Sequence, residues 1–167
     1  MGIAAVSGLA HADYIRAVAA ALEAAGVPVA DWRADDGVPR DGWIPFDLAR
    51  QARLHGRPVW DHDEAGAAWS EVDGWRLLTV DDPGGRNVRG VHALDVTTVA
   101  APSSVARAVT ERAGIRSGES RAEEVDTDFA GRRAGTGDPA FEAALRRYSA
   151  GRTKCVDGWP EAAEGRG

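Results

Sequence analysis

The chain is poor in cysteine, lysine and long apolar runs. Cys155 is its only cysteine, so no internal disulfide can form, and a reducing compartment such as the cytoplasm is the expected setting. Lys154 is the only lysine among 20 basic residues, and no run of Lys or Arg stands out. With a formal charge of −6, the chain lacks the field that gathers nucleic-acid phosphates, so nucleic acid is not an expected partner. No apolar stretch approaches the roughly 20 residues that span a bilayer, and no membrane segment is expected. The first ten residues carry no basic group before Arg16, which argues against a secretory leader.

Motifs of catalysis are also missing. There is no H-E-x-x-H, no paired cysteine, no G-x-S-x-G elbow and no phosphate-cradling glycine pattern. The segment Asp61-His62-Asp63-Glu64 has metal-ligand residue types. Adjacent strand residues point to opposite faces, however, so it reads as a polar turn. The pairs Asp35-Asp36, Asp81-Asp82 and Glu123-Glu124 fall in expected loops, where carboxylates are solvated. No catalytic residue, metal site or cofactor is expected, and the balance leans away from an enzyme.

The 167 residues suffice for one domain with a real core and a remainder. Tyr14, Val18, Ala21, Leu22 and Ala25 make one stripe at helical period, predicting a helix from Ala10 to Ala25 that Gly26 and Pro28 end. Val27 to Arg33 and Gly42 to Leu48 read as extended, the second with Pro45 marking an edge or bulge. Residues 49–58 suit either a loop or a short helical turn. Asp73-Gly74 between two apolar runs predicts a two-residue hairpin turn, with Val72 opposite Trp75, Glu71 opposite Arg76 and Trp69 opposite Leu78. A longer turn from Glu71 to Gly74 would change that register. Asp81 to Asn87 reads as a second turn, and Val91 to Val96 as a further strand. Pro102 opens a helix with Val105 and Val109 on its apolar side, and Gly114 closes it.

The expected fold is α+β: an antiparallel sheet of about five strands flanked by an N-terminal helix and a following helix, spanning residues 1–114. Residues 115–137 are polar and read as a linker. Residues 138–151 form a short amphipathic helix with Phe141, Leu145 and Tyr148 in its stripe. That helix either packs back on the domain or serves as a tethered docking element, and 152–167 is a polar tail.

Trp32, Trp43, Trp60, Trp69 and Trp75 crowd into one window. Core packing accounts for most of them, yet one covered sheet face cannot hide all five. In the two-residue register Trp69 and Trp75 lie on opposite faces. Large aromatics on an open sheet face mark a binding or self-association surface. Trp43, Trp60, Trp69, Trp75 and Arg76 are therefore the candidate partner- or ligand-binding residues. The leading expectation is a non-enzymatic protein-binding or accessory domain, a homodimer in its simplest form. The alternative is a small-molecule-binding protein or enzyme with a Trp-lined pocket between sheet and helices.

The stretch from Ala67 to Arg76 carries a W-x-E-x-x-G-W hairpin. It resembles a family of small uncharacterised proteins of high-GC, actinomycete-type bacteria, with Tyr14 to Val18 and Val105-Ala106 as further points of likeness over residues 10 to 113. The resemblance implies a bacterial source and no established activity. The helix–sheet–helix order is also similar, at the level of fold, to small chaperones of secretion effectors, which implies a dimer that binds protein segments.

Overall fold

The computed structural model describes residues 10–81, 88–115 and 125–156. The turn expected over 82–87 and the tail beyond 156 lie outside them. The elements run α1 (Ala10–Ala24), β1 (Arg33–Asp35), β2 (Asp41–Pro45), α2 (Leu48–His55), β3 (Glu64–Ser70), β4 (Gly74–Asp81), β5 (Val88–Ala93), α3 (Pro102–Ala113) and α4 (Pro139–Val156). The strands form one antiparallel sheet in the order β1-β2-β3-β4-β5. This is the α+β architecture that the sequence predicts.

The helix signals placed the helices closely. Pro102 stands at the start of α3, and Gly114, at φ +67°, closes it by donating to the Glu111 and Thr110 carbonyls. Asp138 caps α4, its carboxylate accepting from the Ala140 amide at 3.0 Å. The ambiguous segment 49–58 contains α2, capped by Asp47, whose side chain accepts from the Arg50 amide at 2.9 Å. Val27 to Arg33 gives no strand of its own. Val29 bridges to Phe46, and β1 starts only at Arg33.

The hairpin register differs from the two-residue expectation. Ser70 pairs with Gly74 and Trp69 with Trp75, leaving Glu71, Val72 and Asp73 as the loop. Gly74, at φ +74°, takes the left-handed conformation that closes a loop of this length. Direct cross-strand partners share a face. Trp69 and Trp75 therefore point the same way, into the core, and each is 1% exposed.

That core lies between the sheet and α1, α3 and α4. Tyr14, Ile15, Val18 and Leu22 of α1 are buried against Ile44, Trp69, Trp75 and Leu77 of the sheet, with Val105 and Val109 of α3. The polar tips of the aromatics are satisfied in series. Trp75 donates from Nε1 to the Tyr14 hydroxyl at 3.0 Å, and that hydroxyl donates to the Ala100 carbonyl at 2.5 Å. Trp69 donates from Nε1 to the Thr98 carbonyl at 2.7 Å.

The described half of the expected linker, 125–137, is held to the domain at several points. The Thr98 amide donates to the Phe129 carbonyl, and the Thr127 hydroxyl to the Val99 carbonyl at 2.7 Å. Asp126 accepts from the Ala101 amide at 2.7 Å. Phe129 meets Phe141 edge-on with centroids 5.1 Å apart. α4 packs on α1, with Phe141 and Leu145 fully buried and Tyr148 against Tyr14, centroids 4.9 Å apart. The helix thus docks on its own domain.

Candidate functional site

The sheet has one face under the helices and one face away from them. Strand register lays out the open face in rows. One row runs Arg33, Trp43, Ala68, Arg76, Ala93 across all five strands. The next runs Pro45, Gly66, Leu78, Val91, and the third runs Glu64, Val80, Arg89. At the hairpin end lie Asp35, Asp41 and Ser70. With strands about 4.8 Å apart, the face is roughly 19 Å wide.

Its large side chains are exposed or half-buried, and Val91 is 54% exposed. The Trp43 indole reaches across β3 into the space that Gly66 leaves open. A Cβ at Gly66 would collide with its six-membered ring. The ring separates two hollows and lines both. One, of about 810 Å³, extends along the face past Leu78 and Val80 to Arg89. The other, of about 450 Å³, lies between Asp31, Leu48 and Glu64.

Of the five candidates read from sequence, Trp43 and Arg76 meet here, on either side of Ala68. Trp69 and Trp75 are core residues that pack on His11 and Tyr14. Trp60 stacks on Phe46, centroids 5.6 Å apart, and donates to Gln51 at 2.7 Å. Among the described residues the aromatic content of the open face is therefore one tryptophan. Arg33, Leu78, Val80 and Arg89 complete it. The alternation of Leu78 and Val80 with Leu77 and Thr79 was the readable signal for two of them. The arginines carried no signal.

The carboxylates of the face are not all at rest. Asp41 is pushed above its ordinary value, first by burial and then by the charge and hydrogen bond of Asp35 on the neighbouring strand.

A second polar group lies at the hairpin loop. Glu71, 3% exposed, accepts from Arg40 Nε at 2.5 Å and lies 3.4 Å from Arg132 Nη2. Both arginines also reach Glu142 of α4, Arg40 through Nη1 at 3.1 Å and Nη2 at 2.5 Å, and Arg132 at 3.2 Å. The Arg132 guanidinium carbon stands 4.4 Å from the Phe141 ring centroid. Burial alone would raise Glu142. Its hydrogen bonds and charge contact with Arg40 win, and hold it below its ordinary value. This clasp joins β1–β2, the hairpin, segment 125–137 and α4. Two arginines against two glutamates leave no net charge for a ligand.

Asp61, His62 and Asp63 lie in the turn that the sequence predicts, and Glu64 opens β3. His62 turns its Nδ1 to Asp81 Oδ2 at 2.9 Å, in a cleft with Thr79, His92 and Arg112. An Asp-oriented imidazole suits acid–base work. The cleft holds about 240 Å³, below the roughly 300–1,000 Å³ of small-molecule sites. Among the described residues no three of His, Cys, Asp and Glu converge on a point that would hold a metal. No helix among them is long and apolar enough to cross a membrane.

No curated protein and no solved structure matches this chain. Residues 14–111, from the Tyr14 of the core hydrogen-bond series to the last turn of α3, match a family of unknown function, and the chain belongs to that family, DUF6292.

Proposed function

We propose that the protein is a non-enzymatic binding module whose open sheet face takes a protein partner. The observation that carries this reading is the row structure of that face. Trp43, Leu78, Val80 and Val91 lie half-buried or exposed on three of the five strands, opposite a fully packed core. A broad, shallow, mixed apolar and charged surface suits a polypeptide better than a small ligand. The space between sheet and helices, where a Trp-lined pocket was the alternative, is filled by Trp69, Trp75 and Tyr14.

The test is site-specific photo-crosslinking of the full chain in its host of origin. Probes at Leu78 and Val91 should give discrete adducts, identifiable by mass spectrometry, that disappear with Trp43→Ala. A probe at exposed Arg107 on α3 should give none. Adducts from Arg107 alone, or none from the face, would reject the reading. Light scattering on the purified chain separates a second copy from a foreign partner.

A further inference from the structure

We infer that the partner of this face is an extended, basic polypeptide segment that seats an arginine or lysine side chain against Trp43. The inference rests on the reading of the face as a protein-binding surface, and names the chemistry of what it binds.

The two hollows beside Trp43 are lined by six acidic side chains against three arginines. The arginines are not evenly placed. Arg76 lies 3.8 Å from Asp73, and Arg89 is on β5, three strands from Trp43. The hollow of about 450 Å³ holds Asp31, Asp63 and Glu64 against Arg33 alone. A cation entering it meets carboxylates beside an indole, whose π face draws guanidinium and ammonium groups.

The Asp35–Asp41 pair lies at the hairpin end of the same face. These carboxylates stand on directly paired residues. Their mutual repulsion contributes to the raised value of Asp41. A positive group placed between them relieves it. The geometry thus offers two cation seats, one at each side of Trp43 along the strand direction.

The same charge disfavours the other occupants. A second copy would lay acidic hollows on acidic hollows, in a chain whose formal charge is already −6. A nucleic acid is repelled for the same reason.

The experiment uses the full chain and a labelled short peptide of alternating arginine and serine, with a glutamate–serine peptide as control, read by fluorescence anisotropy. The arginine peptide should bind, more weakly as salt rises, and the glutamate peptide should not. Trp43→Ala should weaken binding by about tenfold and Trp43→Phe by less, because phenylalanine keeps a smaller cation–π site. Asp31→Asn with Glu64→Gln alters exposed groups only, so folding is preserved, and it should weaken binding by a similar factor. Equal binding of the arginine peptide by wild type, Trp43→Ala and the Asp31→Asn with Glu64→Gln variant, or no binding at all, overturns the inference. Crosslinks from Leu78 or Val91 to a segment without basic residues would retain the protein-binding reading and remove this one. Peptide binding without any cellular adduct would remove the protein-binding reading, and with it the partner named here.

Discussion

Replacing Glu71 by alanine should cost about 3–5 kcal/mol, the usual penalty for removing one partner of a buried ion pair. The reason is what remains behind. The Arg40 and Arg132 side chains are only 13% and 11% exposed, and both are turned towards the hairpin loop. Without Glu71 they share the single carboxylate of Glu142, which is 23% exposed. Nε and Nη1 of Arg132 already lack a hydrogen-bond partner among the described residues, so it has no spare acceptor to turn to. Glu71→Gln keeps an acceptor for Arg40 Nε and loses the charge, and should cost about 1–3 kcal/mol. Urea unfolding is the assay, with the midpoint moving and the slope unchanged. In a thermal scan 3–5 kcal/mol corresponds to a fall of roughly 6–20 °C for a chain of this size. A cycle with Arg40→Ala should show a coupling of at least about 1.5 kcal/mol, because each single change strands the other's partner. A Glu71→Ala cost under about 1 kcal/mol, additive with Arg40→Ala, would place the group with exposed ion pairs and refute the reasoning.

Two further outcomes are expected. Tyr14→Phe deletes the hydroxyl that both receives from Trp75 and donates to Ala100, all buried. It should cost about 1–3 kcal/mol in urea unfolding, and a cost near zero would mean that neither group is left unsatisfied. His11 is fully buried against Trp69, and burial, the largest influence, holds it below its ordinary value despite the contact with the Asp35 carbonyl. A lowered histidine favours the folded state above the ordinary value of 6.5 and loses that contribution as pH falls through the lowered one. Melting temperature should therefore drop between pH 7 and 5, and His11→Gln should flatten the drop. An unchanged slope in the variant would show that other groups set it.

Local chemistry made the helices legible. Capping and stop residues such as Asp138, Pro102 and Gly114 act within a few positions of themselves, so their meaning survives without the rest of the chain. The hairpin was legible in kind and misplaced in register. Asp73-Gly74 satisfies a two-residue turn locally, but the loop is held by Arg40 and by Arg132, 61 residues away from Glu71. That shift moved Trp69 and Trp75 to one face and reduced the expected aromatic surface to Trp43. The composition of 115–137 reads as linker because it is polar. Its described half is polar where Asp126, Thr127 and Arg132 answer partners on distant elements, and Phe129 was the one apolar sign of a packed segment. The acidic hollows were out of reach of sequence reasoning, since Asp31, Asp41 and Glu64 come together only through the pairing of β1, β2 and β3.

The family match ends at residue 111, yet the clasp does not. Arg132 and Glu142 of the clasp come from beyond that limit, as do Phe141 and Leu145, which close the same core that Tyr14 and Trp75 begin. The region matched to the family and the packed core are therefore different lengths of the same chain. A fragment trimmed to the homologous region would keep the family's ancestry and lose two of the four charges that balance one another at the hairpin.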